Sequence, residues 1–185
     1  MSLGVLATPG PGTPADSPTA LMRPDDLVAA LARFLQRVHG SAPAGDAEPV
    51  TASATLATAR ARVADGAVDA SSFDEPYRSQ SSERLLTIAS DLADLVEGRG
   101  EIAAVTVHGS LRLGDLLLDG GEVTGWAVPA VALVGDPYVD LAFLARDLAG
   151  AVGPAAVPAL FDAYGLDRPD PLRIEFWVTV GQLLR

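Results

Sequence analysis

The chain has 185 residues, no Cys and two His, and it carries a formal charge of −11 from 13 basic and 24 acidic side chains. Such acidity argues against nucleic acid or an anionic membrane as a partner, because phosphate recognition needs clustered positive charge. Without thiols there is no disulfide framework, thiolate metal site or Cys nucleophile, and an apolar content of 49% is enough for one sizeable core.

In the first 20 residues, Pro9, Pro11, Pro14 and Pro18 are set among Gly, Ser and Thr. The segment lacks the basic start and continuous apolar stretch of a secretory signal and reads as a flexible tail, residues 1–20, ahead of a single domain over residues 21–185. No apolar run reaches the roughly 18 residues of a membrane span, and a cytoplasmic setting is expected. Pro24-Asp25-Asp26 opens an amphipathic helix in which Leu27, Leu31, Phe34, Leu35 and Val38 recur at helical spacing; His39 sits at its C-terminal end and Gly40 stops it. Residues 41–50 form a Pro- and Gly-bearing loop, and Thr51 to Ala64 is an Ala-rich helix. From Asp65 to Gln80 the composition predicts an exposed loop with Phe73 and Tyr77 as anchors.

Ser81-Ser82-Glu83 starts a second strong helix, with Leu85, Leu86, Ile88, Ala89, Leu92 and Leu95 on its apolar side and Gly98 and Gly100 closing it. Short strands follow over Ile102 to Val107, Leu116 to Leu118 and Glu122 to Val128, with Asp119-Gly120-Gly121 as the hairpin turn between the last two. Three helical segments complete the chain: Tyr138 to Leu148, Pro154 to Tyr164 and Pro171 to Leu184. Their aromatic and aliphatic stripe reads as core.

The stretch His108-Gly109-Ser110-Leu111-Arg112-Leu113-Gly114-Asp115, the Leu-Leu-Leu-Asp-Gly-Gly after it, and Gly135-Asp136-Pro137-Tyr138-Val139-Asp140-Leu141-Ala142 resemble the aminoglycoside phosphotransferase family, related to choline kinases. In that family a loop H-G-D-x-x-x-x-N precedes a D-G-G-like hairpin, an apolar strand ending in I-D-W or I-D-F, and G-D-P-x-x-D-L-A. The loop is similar to the protein-kinase H-R-D-x-x-x-x-N, where Asp accepts the substrate proton and Asn holds magnesium. The resemblance runs from Leu21 to Leu184 and is most specific between Val105 and Ala142. It implies an α+β, mainly helical fold: a protein kinase-like C-terminal lobe with a small β-hairpin region and no N-terminal lobe.

The resemblance also implies roles. Ser110 stands at the position of the catalytic Asp, Asp115 at that of the metal-binding Asn, and Val128 at that of the second metal-binding Asp. A Ser hydroxyl is a poor proton acceptor at neutral pH, and Val offers magnesium no oxygen. Asp115 alone remains a weak metal candidate, with a solvated or capping carboxylate as its plainer reading. His108, Asp136 and Asp140 are expected to be structural: His108 supports the loop backbone, and Asp136 caps a helix ahead of Pro137. All 13 basic residues are Arg, so no phosphate-gripping Lys and no G-x-x-x-x-G-K-[ST] loop occurs in this sequence.

A serine hydrolase built on His108 and Ser110 is disfavoured, since Ser110 lies outside a G-x-S-x-G elbow and has no oriented acid behind it. The expected protein is therefore a non-catalytic, kinase-like chain without cofactors, acting through binding or assembly. Its apolar Leu111, Leu113, Trp126 and Pro129, uncovered by the missing lobe, would face a second copy or another protein. Two alternatives stand beside this reading. One is an ATP- and Mg2+-dependent phosphotransferase that takes N-lobe groups from a partner chain, with Asp115 or Asp136 holding the metal; the other is a binder of cationic small molecules in an acidic acceptor groove.

Overall fold

A computed structural model of the chain describes residues 11–42, 49–100, 102–126 and 133–185. In chain order these form β1 (Thr13–Pro14), α1 (Pro18–Leu21), α2 (Pro24–His39), α3 (Ala52–Ala64), α4 (Ser82–Glu97), β2 (Val105–Val107), β3 (Leu116–Asp119), β4 (Glu122–Trp126), β5 (Leu133–Gly135), α5 (Tyr138–Ala151), α6 (Ala156–Tyr164) and α7 (Pro171–Leu183). The mainly helical α+β architecture with a small hairpin agrees with the sequence reading. Two antiparallel sheets carry the strands, one ordered β1-β3-β4 and the other pairing β2 with β5.

The chain divides into two compact units: residues 1–49 with 104–169, and residues 50–103 with 170–185. In the first, α2 packs against α6 and the strands. Pro24 presets the first turn of α2, and Asp25 and Asp26 there complement the positive end of the helix dipole. Its buried stripe contains Leu27, Leu31, Phe34, Leu35 and Val38, as the spacing predicted.

In the second unit, α4 packs on α7 and on α3. The Ser81 hydroxyl accepts the Arg84 N–H at 3.2 Å and fixes the start of α4. The predicted apolar side is only partly buried here: Leu95 is 53% exposed, Leu86 and Ile88 are half-buried, and the buried face is Leu85, Ala89, Leu92, Ala93 and Val96. Phe73 and Tyr77 are buried, as expected of anchors in the loop between α3 and α4.

Two strands were not legible beforehand. Residues 11–20, expected as part of a flexible tail, instead form β1 and α1 and bury Ala15. Pro14 is tolerated because β1 is an edge strand, and Gly12 is required because a Cβ there would sit 2.6 Å from the Leu118 carbonyl oxygen. The Ala15 N–H donates to the Leu116 carbonyl at 2.8 Å, and the Thr124 hydroxyl donates to the Pro11 carbonyl at 2.7 Å. The other unforeseen strand, β5, is too short for periodicity to show; it pairs Leu133 with Val107 and Gly135 with Val105.

Candidate active-site loop

Residues 108–115 link β2 to β3, and two carboxylates of α5 hold them in place. Asp140, in the first turn of α5, is 0% exposed. Its Oδ2 accepts the His108 N–H at 2.7 Å and its Oδ1 accepts the Gly109 N–H at 2.8 Å. Both backbone donors immediately preceding Ser110 therefore terminate on one side chain. Gly109 adopts φ +86°, which turns the chain so that the two N–H groups converge, and a Cβ there would lie 2.7 Å from Leu133 Cδ1.

Two turns further along α5, Asp147 accepts the Leu113 N–H at 3.0 Å and Arg112 Nε at 3.0 Å. Arg146 binds the same carboxylate at 2.8 Å and lies over the Phe143 ring. The seven-residue spacing puts Asp140 and Asp147 on one face of the helix, so α5 grips both ends of the loop.

His39 takes part in this arrangement rather than merely ending α2. Its buried ring bonds Asp140 Oδ2 through Nε2 at 3.3 Å and the Tyr164 hydroxyl through Nδ1 at 2.8 Å. Burial, followed by the charge of Asp140 and the nearby Tyr138, pushes the Tyr164 phenol up, so it stays protonated beside Nδ1. Because a carboxylate only accepts, His39 Nε2 is the donor in the contact with Asp140. Burial likewise pushes the His108 imidazole below its ordinary value, against the pull of Asp140 and Asp115. Neutral His108 accepts the Ser110 N–H on Nδ1 at 3.4 Å and packs edge-on against Trp126, with ring centroids 5.3 Å apart.

A profile of the phosphotransferase enzyme family matches residues 4–177. The chain belongs to this family. Among relatives, the aminoglycoside 3'-phosphotransferase of Escherichia coli is 32% identical over 160 residues, covering 85% of this chain and 56% of the relative. The Salmonella typhimurium enzyme of the same name is 31% identical with the same coverage. Among solved structures, the aminoglycoside phosphotransferase APH(3'')-Id of Streptomyces rimosus, in complex with ADP and streptomycin, superposes with a TM-score of 0.80 at 24% identity, covering 94% of this chain and 67% of that one. An aminoglycoside-3'-phosphotransferase of type VIII gives 0.77 at 26% identity, covering 94% and 66%. This chain thus spans a little over half the length of the curated family members it matches.

Ser110 is exposed at the bend of the loop, and Asp115 is half-buried in a 3-10 turn over Leu113–Asp115. Val128 lies outside the described residues, as does Pro129. Asp136 Oδ1 accepts the Tyr138 N–H at 2.8 Å, capping α5. Leu111, Leu113 and Trp126 are buried within the chain, Trp126 to 2% exposure. The expectation that they form an uncovered apolar face is thereby corrected: Phe34 of α2 and His108 pack edge-on against the Trp126 ring.

Asp147, Tyr164 and the ring of His39 were missed in the sequence. Asp147 was recoverable from its heptad spacing to Asp140, but pairing His39 with Tyr164 required the packing of α2 on α6.

Proposed function

We propose that this chain is a non-catalytic, aminoglycoside phosphotransferase-like protein that keeps the family's loop scaffold and uses it for binding or assembly, without nucleotide or magnesium. The observation that carries this reading is Ser110 at the bend held by Asp140, where the motif calls for a carboxylate. The donor set there does not suit a magnesium-bound triphosphate. Ser110 offers a neutral hydroxyl, Val128 offers no donor, and Asp115 is left as a single carboxylate for a cation that takes hard oxygen ligands.

A second reading, an ATP-dependent phosphotransferase completed by groups from another chain, is favoured by the names of the relatives, which are phosphotransferases. Calorimetry with magnesium-ATP and a phosphotransfer assay over a panel of aminoglycosides and simple amines separate the two. The non-catalytic reading expects no saturable heat and no transfer, with magnesium-dependent nucleotide binding gained in the triple variant Ser110→Asp, Asp115→Asn, Val128→Asp. Micromolar nucleotide affinity in the natural sequence, or turnover abolished by Asp115→Ala, overturns it.

A further inference from the structure

Away from the loop, an open cavity of about 320 Å3 lies between the start of α2 and the β3-β4 hairpin and shares no lining residue with positions 108–115. Its floor is apolar, from Leu27, Ala30 and Leu118, and its rim carries Arg23 and Asp26 on the helix side and Asp119 on the hairpin side. The walls are built in advance. Arg33 donates to Glu122 at 2.9 Å and to the Gly121 carbonyl at 3.2 Å, and Arg37 donates to the Val123 carbonyl at 3.1 Å, tying the hairpin to α2. Close approach of β1 at Gly12 fixes the third side. Whereas Arg33, Arg37 and Glu122 nearby satisfy one another, Arg23, Asp26 and Asp119 have no ion-pair or side-chain hydrogen-bond partner among the described residues.

We propose that this cavity is a binding site for a small zwitterion, an α-amino acid with an apolar side chain. The carboxylate end meets Arg23, whose guanidinium makes no side-chain cap on α2. The ammonium end meets Asp119, with Asp26 as a second acceptor, and the side chain covers Leu27, Ala30 and Leu118. The volume, at the low end of the roughly 300–1,000 Å3 range of small-molecule pockets, suits a small ligand.

The test is a titration of the intact 15N-labelled chain with L-leucine and L-phenylalanine, following the backbone amides of Ala20, Gly120 and Gly121. Phenethylamine and hydrocinnamate serve as probes lacking one charged end. The expected result is saturable shifts with at least one amino acid and about tenfold weaker binding of both single-charge probes. Asp119→Asn and Arg23→Gln, both at exposed positions that leave folding intact, each weaken the amino acid about tenfold. Absence of saturable shifts with both amino acids, equal affinity for a single-charge probe, or undiminished binding in the two variants overturns the proposal. Phosphotransfer does not enter any of these readouts.

Discussion

Replacing Asp140 is the most demanding test of how the loop is held. The carboxylate accepts the His108 and Gly109 N–H groups and the His39 ring, and it is fully buried. Asp140→Ala leaves those donors without an acceptor, at about 1–3 kcal/mol each. Allowing for water reaching the half-buried loop backbone, the loss is on the order of 3–6 kcal/mol, a large share of the roughly 5–15 kcal/mol that keeps a domain folded. Asp140→Asn keeps one acceptor oxygen but turns an NH2 group toward a second donor, and it costs about 2–3 kcal/mol. The assay is urea denaturation by circular dichroism together with amide hydrogen exchange at His108 and Gly109. Asn is expected to fall between wild type and Ala, with exchange at the two amides accelerating ahead of α5 itself. A loss below about 1 kcal/mol for Asp140→Ala, with unchanged exchange at Gly109, refutes the assignment of Asp140 as the loop's anchor.

Two further outcomes follow from the same geometry. His108 is held neutral by burial, so the unfolded chain takes up a proton near the ordinary value of about 6.5 while the folded chain resists until lower pH. The contribution is complete above about 6.5 and is lost as pH falls through the lowered folded value. Stability measured against pH is therefore steeper below about 6.5 in the natural sequence than in His108→Gln, and identical slopes would contradict this. Gly109→Ala places a Cβ in the left-handed region and 2.7 Å from Leu133 Cδ1, so a loss of about 1–2 kcal/mol from the backbone alone is expected in urea denaturation, and none would argue that the loop turns elsewhere.

The sequence by itself determined the helices after α1 and the loop. The apolar spacing of Leu27, Leu31, Phe34 and Val38 fits one stripe of a helix whatever surrounds it, and Asp119-Gly120-Gly121 demands a hairpin because Gly tolerates the positive φ seen at both glycines. The series from His108 to Asp115 and from Gly135 to Ala142 likewise carried the family, since its spacing is local.

Other features were decided by long-range contact. Thr13 and Pro14, in a Pro- and Gly-rich segment, became an edge strand only because β3 offered backbone partners, and no local propensity encodes that. Leu111, Leu113 and Trp126 proved buried because neighbouring side chains cover them, which apolar character alone does not reveal. His39 lies on α2, far in the sequence from Asp140 and Tyr164 on α5 and α6, and the three form one network because a buried carboxylate must be satisfied by whichever donors the packing brings to it.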